Sequence, residues 1–381
     1  MDFSFNEQHT MWRDMVSKFV KREITPIASD IDCSSGFAGN LMHKIGEAQF
    51  FGVRYPEEYG GAGADTTSYI IMMEELGRGI VGIAAAVAMQ SLMGTDLIYR
   101  YGTEKMKQRI LVPAIKGEKY GVIAFTEADA GTDLGGVRTT ARAEGDSFVL
   151  NGTKMWITNA RDCHFFSILA NRKPEKGIKG LAFFLVEKDT LGLKVGKDIK
   201  KMGTRGTTNC EIILDNVKIP KENLLDKDGK GISVLFDILS ETRLMLSAIA
   251  LGASRACFDK ALLYAKQRIA FGKPIAKHQL IQEKISEMAM MIDSSQLLTY
   301  KAAWLKDQKK QYAREAMIAK YHNTEAAIKI ANESMRIFGA YGYAQEYDIE
   351  QYFRDIYSLL YAGGTAEILK INIANMYINK I

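Results

Sequence analysis

The spacing of apolar residues changes character twice along this chain, and that order restricts the folds open to it. Residues 1–118 carry helix-period stretches around 6–30, 38–51, 66–77, 80–100 and 103–116, broken by the turn-rich run YPEEYGGAGAD at 55–65. From about 120 the pattern shortens. FVLNGTKMWIT (148–158), HFFSILA, GLAFFLVE and CEIILDNVKI are β-rich segments, and Asn151-Gly152 lies between two extended runs as a hairpin signal. Helical spacing then returns, with 243–268 apolar around much of the helix and 279–309 and 313–338 repeating the pattern. Proline follows the same division: Pro26, Pro56, Pro113, Pro174 and Pro220 punctuate the first part, and Pro274 alone interrupts the rest. Helices and strands that segregate exclude a doubly wound sheet, whose elements would alternate. The expectation is three units, 1–119 helical, 120–228 β and 229–381 helical, in a chain of 381 residues that can bury a large core.

Charge and cysteine usage narrow the function. Fifty basic residues against forty-five acidic leave +5 with the signs interspersed, so no basic stripe marks a nucleic-acid binder, while a small anionic cofactor remains compatible. Cys33, Cys163, Cys210 and Cys257 form no C-x-x-C pair, which supports neither a disulfide framework nor a zinc site. The first residues, MDFSFNEQHTMWRD, do not read as an export leader, and the uncharged run between Arg78 and Asp96 reads as a buried helix rather than a membrane span. A cytoplasmic protein is expected. The metalloprotease, P-loop, nucleophile-elbow and G-x-G-x-x-G signatures are absent.

Two segments stand out chemically. TEADAGTD (126–133) clusters hydroxyls, acids and glycine in a way that exposes backbone N–H groups to a phosphate or ring carbonyl, and WIT (156–158) follows on the next β segment. Singly they describe a capped turn and a half-buried aromatic; their pairing shifts the balance toward a ligand-binding reading. QRIAFGKPI (267–275) sets an arginine near a glycine break at the end of a long helix, suited to an anion or simply to the helix dipole.

Taken in order, TEADAGTD, KMWITNA, KMGTRGTT, SETRL, YAKQRIAFGKPI, RIFGAYGY and YFRDIYSLLYAGGTAEI resemble the acyl-CoA dehydrogenase family of flavoproteins over nearly the whole chain. The resemblance implies an α+β fold with an N-terminal helical domain, a middle β-barrel and a C-terminal four-helix bundle. It also implies a homotetramer with one FAD per subunit. In the family an acyl-CoA thioester lies against the flavin, a carboxylate removes the α proton, the β hydride passes to flavin N5, and electron-transferring flavoprotein commonly reoxidises the cofactor. By position, Phe125, Thr126, Gly131 and Thr132 resemble the loop that bonds the flavin ring and phosphates, with Trp156 on the ring and Thr158 near N5. Arg268, Phe271 and Gln279 resemble contacts to the FAD of a neighbouring subunit, and Gly339, Thr365 and Glu367 fall in further flavin-side segments. Arg243 matches an arginine near the CoA portion, and Thr132 also faces it. Two departures lie at Ala128-Asp129, where the family has proline–glycine, and at Arg336, where glutamine is common.

The largest departure is chemical. The family turn I-Y-E-G-T-S-E-I aligns without a gap to residues 361–368, which places its catalytic glutamate on Gly363. The alternative seat, immediately before Arg243, is Thr242. Glu241 is one helix step away, a rotation of about 100°, and should point elsewhere. The Gly363 N–H remains able to polarise a thioester carbonyl. Asp96, the sole acid between Arg78 and Glu104, is the candidate base on the opposite wall, or else an i,i+4 partner of Arg100 or a local cap following Gly94-Thr95. Ala84, Ala85, Ala86 and Ala88 leave room for a bulky acyl group. This pattern resembles family members that oxidise cyclohex-1-ene-1-carboxyl-CoA to a diene by 1,4-elimination. The alternatives are a 3-sulfinopropionyl-CoA desulfinase-like protein, against which the absence of arginine from 79–99 counts, and a non-catalytic subunit of a mixed oligomer.

Overall fold

The computed structural model describes residues 5–225 and 231–378. Among the described residues, eight α-helices precede the first strand: α1 Glu7–Phe19, α2 Ala28–Ser34, α3 Gly39–Glu47, α4 Thr66–Gly79, α5 Val81–Ala88, α6 Asp96–Tyr101, α7 Glu104–Met106 and α8 Val112–Ile115. The start of α4 is doubly fixed. Asp65 caps Ser68 N at 2.8 Å, and the Asp307 carboxylate accepts from the amides of Thr66 at 2.7 Å and Thr67 at 3.0 Å. The α5 sequence is apolar on every side, as a helix with no solvent face requires, and only Ala85 escapes full burial. Residues 81–101 do reach the length and apolarity of a bilayer crossing, but 89% of that window is buried inside the fold, which makes it a core helix.

The middle unit is a seven-stranded sheet: β1 Gly121–Ala124, β2 Thr140–Glu144, β3 Ser147–Thr158, β4 Phe165–Asn171, β5 Leu181–Glu187, β6 Leu193–Asp198 and β7 Asn209–Pro220. Strand order is β1-β4-β2-β3-β7-β6, with β5 also on β4, and β1 runs parallel to β4. Two sections of the sheet meet at a single pair, Thr140 with Asn171, so among the described residues the ladder stays open rather than closing into a ring. The hairpin expected at Asn151-Gly152 is not there. β2 and β3 turn instead at Gly145-Asp146, where Gly145 takes φ +55°, and Asn151-Gly152 forms a bulge inside β3. The reason is steric: Thr139 lies so close that a Cβ on Gly152 would come within 2.5 Å of its hydroxyl.

Five further α-helices follow among the described residues: α9 Gly231–Gln267, α10 Gln279–Asp307, α11 Ala313–Phe338, α12 Ile349–Tyr361 and α13 Ala366–Ile378. The crossing of α4 and α9 is close enough that a Cβ on Gly252 would lie 1.9 Å from the Glu74 carbonyl oxygen. Buried apolar residues form two clusters. One joins α1, α3, α4 and α5 to α9–α12; the other joins α6–α8 and the sheet to Val234, Leu235, Ile238 and Leu239 of α9. Both cores therefore run through α9.

Candidate active site

The loop after β1 is organised by Glu127. Its carboxylate accepts from the amides of Arg138 at 2.7 Å and Thr139 at 3.0 Å, from the Thr139 hydroxyl at 2.5 Å and from Lys154 Nζ at 2.7 Å. Lys154, on β3, is wholly buried and also donates to the Phe125 carbonyl at 3.3 Å; burial pulls its ammonium down to about 8, against the attraction of Glu127. The loop is tied to β3 again by Met155 N on the Thr126 carbonyl at 2.9 Å. Phe125 and Thr126 are half-buried at its base, while Gly131 and Thr132 are exposed and a Cβ at Gly131 would meet open space.

Two residues on, β3 leaves register with β7, and Trp156 takes φ +62° with 55% of its surface exposed. A large aromatic held left-handed and solvent-facing is costly unless its surroundings impose it. Asn209 does so: its Nδ2 donates to the Trp156 carbonyl at 3.2 Å and to the Thr158 hydroxyl at 3.1 Å. The structure thus presents an exposed glycine loop tied to β3 through Met155 and, one residue further along that strand, a solvent-facing indole. The KMGTRGTT segment is fastened to α12, where Asp355 accepts from Thr204 N at 2.5 Å.

The turn between α12 and α13 carries further candidate residues. Gly363 has φ +67° and Gly364 φ +102°. Arg243 Nε donates to the Gly363 carbonyl at 3.0 Å, and Lys320 Nζ donates to the carbonyls of Leu360 at 2.9 Å and Gly364 at 2.8 Å. A Cβ on Gly363 would lie 2.9 Å from Leu246 Cδ1 and 3.6 Å from both Arg243 Cγ and Thr242 Cγ2. Positions 242 and 363 therefore face one point, and neither bears a carboxylate. Burial lowers the Arg243 guanidinium to about 10. Thr365 caps α13 by accepting from Ile368 N at 3.4 Å, and Glu367 is held below the ordinary carboxyl range by its own amide and by Thr365.

Asp96 is 1% exposed and lies in an ion cluster. Its Oδ2 is 2.6 Å from Arg100 Nε, realising the i,i+4 pairing, and its Oδ1 is 3.2 Å from Arg54 Nη1. Glu241 completes the cluster through Arg54 Nη2 at 2.5 Å, Lys306 Nζ at 2.5 Å and Arg100. Burial raises the Asp96 carboxyl despite Arg54; burial pushes Glu241 up as well, but Arg54, Lys306 and Arg100 prevail and hold it at about 2. Glu241 is engaged in this cluster, and the atoms nearest a Cβ at Gly363 belong to Leu246, Arg243 and Thr242 instead. A cavity of about 170 Å³ lined by Arg54, Tyr69, Glu241 and Lys306 adjoins the cluster.

Arg268, Phe271 and Gln279 are exposed around the two-residue ladder Ile269–Ala270/Lys273–Pro274. Phe271 is 95% exposed and left-handed at φ +51°. Gly339 takes φ +62°, ψ −137° at the end of α11, a conformation that glycine alone adopts readily. Sequence reasoning missed Arg54, Glu127, Lys154, Lys306 and Lys320. The opposite charges of Glu127 and Lys154, inside two motifs already singled out, were the available signal.

Comparison with known proteins places this geometry in a family. The chain matches the acyl-CoA dehydrogenase N-terminal domain over residues 6–118, the middle domain over 122–217 and the C-terminal domain over 229–378. It belongs to the acyl-CoA dehydrogenase family and is an FAD-dependent oxidoreductase. Among its relatives, a 3-(aryl)acrylate reductase of Clostridium sporogenes is 40% identical over 97% of this chain and 98% of its own length. A benzylmalonyl-CoA dehydrogenase of Aromatoleum aromaticum is 39% identical over 98% of this chain and 99% of its own. Butyryl-CoA dehydrogenase from Megasphaera elsdenii superposes with a TM-score of 0.96 at 32% identity, covering 99% of this chain and 100% of that one. The open loop and the exposed indole fit a flavin.

Proposed function

We propose that this chain oxidises a CoA thioester without an enzyme carboxylate at the α carbon. The observation that carries the reading is the convergence of Gly363 and Thr242 on one point, with Arg243 beside them. FAD, when bound, accepts the β hydride. Phe125, Thr126, Gly131, Thr132, Trp156 and Thr158 hold it, and Gly339, Thr365 and Glu367 line its far side. Arg268, Phe271 and Gln279 hold the FAD of a neighbouring subunit in a homotetramer. Arg243 and Thr132 meet the CoA portion, the Gly363 N–H polarises the thioester carbonyl, and electron-transferring flavoprotein takes the electrons onward.

The substrate class favoured is a malonyl-type thioester with an α-carboxylate. Cleavage of the bond to that carboxylate releases CO₂ and leaves its electron pair to form the new double bond as the β hydride departs, so no α proton need be removed. An empty seat at Gly363 also spares that carboxylate a like-charge neighbour. The benzylmalonyl-CoA dehydrogenase relative supports this class, and both ring-bearing relatives support a bulky acyl group. A second reading, 1,4-elimination from a ring such as cyclohex-1-ene-1-carboxyl-CoA, takes Asp96 as base. The upward push on its carboxyl favours that role, and its pairing with Arg54 and Arg100 opposes it.

Anaerobic bleaching of the flavin decides among them. The test compares an alkylmalonyl-CoA, with released CO₂ measured, against cyclohex-1-ene-1-carboxyl-CoA and butyryl-CoA. Rapid bleaching by butyryl-CoA would overturn both readings. Bleaching by the cyclic ester, lost in Asp96→Asn, would select the second. A purified chain with full flavin and no response to any of the three would point to a non-catalytic subunit.

A further inference from the structure

We propose that Lys320 is a positioning residue: from α11 it draws the Leu360 and Gly364 carbonyls to one point and so fixes where the Gly363 peptide lies. The role toward substrate rests on the reading above that a thioester binds at this turn; the role in holding the turn does not.

Two successive left-handed glycines have no side chain to restrict them, and the turn they form has little stiffness of its own. Its shape must come from contacts outside it. Leu360 lies in the last turn of α12, where carbonyls lack partners within the helix. Lys320 Nζ reaches that carbonyl at 2.9 Å and the Gly364 carbonyl at 2.8 Å, bridging both ends of the turn. Arg243 takes the Gly363 carbonyl between them at 3.0 Å. Two cations from two different helices therefore clamp a segment that offers substrate only its backbone. With glycine at both positions, the turn can place its amide only by the path of the main chain.

Lys320 is wholly buried, and the charged groups acting on it are Arg243 of α9, Glu325 of its own helix and Glu367 of α13. Burial is the largest influence and lowers the ammonium to about 8, with Arg243 acting in the same direction. Above that pH the amine still has two hydrogens for two carbonyls, but these bonds lose their charge assistance.

The test uses the FAD-loaded full chain with Lys320→Met and Lys320→Arg. Amide exchange over 360–368, corrected for the intrinsic effect of pH, reads the turn directly without substrate. In the parent, exchange should quicken as pH rises through 8. Lys320→Met should exchange at least tenfold faster already at pH 7, with kcat reduced tenfold or more, KM changed less than threefold and flavin content kept. Lys320→Arg, charged throughout, should restore slow exchange and remove the step near pH 8. A folded Lys320→Met with parental exchange and kcat would overturn the proposal. If Lys320→Met does not fold, Lys320→Arg decides, and persistence of the parental step in that variant would overturn it. Should no thioester bleach the parent, the proposed function fails while the exchange measurement still decides the role of Lys320.

Discussion

Arg243 donates through Nε to the carbonyl of Gly363 at 3.0 Å, which joins the long helix α9 to the glycine turn across 120 residues of sequence. The Gly363 carbonyl is thus a backbone acceptor for a buried guanidinium, at the position where the family resemblance implies a carboxylate. Placing an acid there is therefore a direct test of the proposed function.

Gly363→Glu should confer oxidation of a simple saturated thioester. The new Cβ would press on Leu246 Cδ1 at 2.9 Å, a side-chain end that can shift, and the left-handed φ of +67° would cost about 1–2 kcal/mol. Bleaching by butyryl-CoA should rise by about 10² or more, the usual weight of a general base. Anaerobic stopped-flow absorbance measures it; an unchanged rate in a folded, flavin-loaded variant counts against the turn as the reacting centre.

Glu127 should be required for both stability and flavin retention. Glu127→Ala strands the Lys154 ammonium, wholly buried, and should destabilise by about 3–5 kcal/mol. Glu127→Gln keeps an acceptor for Lys154 and should cost less. Urea denaturation measures the first quantity, and dialysis against FAD-free buffer the second.

Trp156 should trade stability against cofactor binding. Glycine at this position relieves the left-handed strain of φ +62°, so Trp156→Gly should leave the unfolding free energy of the flavin-free chain, measured by urea denaturation, unchanged or raised by up to about 1 kcal/mol. Loss of the indole should speed FAD release about tenfold, read by recovery of flavin fluorescence.

Alkaline pH should stabilise the fold before it harms it. Lys154 and Lys320 sit near 8 when folded because burial lowers them from 10.5. Between pH 8 and 10 the unfolded chain holds more protons, so stability from these groups rises with pH. Above that range ionisation of the buried tyrosines Tyr55 and Tyr352, both raised, works the other way. Denaturation at pH 7.5 and 9.5 should show a gain per lysine of up to about 2 kcal/mol, smaller in Lys320→Met by that lysine's share.

Helix and strand order was legible because apolar spacing is local: the 313–338 pattern became α11 Ala313–Phe338 without change. The loop after β1 and the glycine turn could be singled out from sequence because the residues of each are contiguous. Asn151-Gly152 misled, since its neighbour Thr139 stands a dozen residues earlier and turned a hairpin signal into a bulge. Arg54 and Lys306 were illegible for a stronger reason. They meet Glu241 from 187 and 65 residues away, and nothing in their own neighbourhoods distinguishes a buried cation from a surface one. Lys320 shares that reason: a lone lysine in an ordinary amphipathic helix gives no hint that two carbonyls wait for it.

Because both apolar cores pass through α9, the three sequence units are not interchangeable modules. A fragment ending near residue 225 would leave the face of α4 that meets Gly252 and the sheet's contacts with Ile238 open to water. Chimeras with relatives should therefore succeed only when α9 travels together with the helices and strands it staples, and residues 1–225 and 231–381 produced as separate chains should associate when mixed.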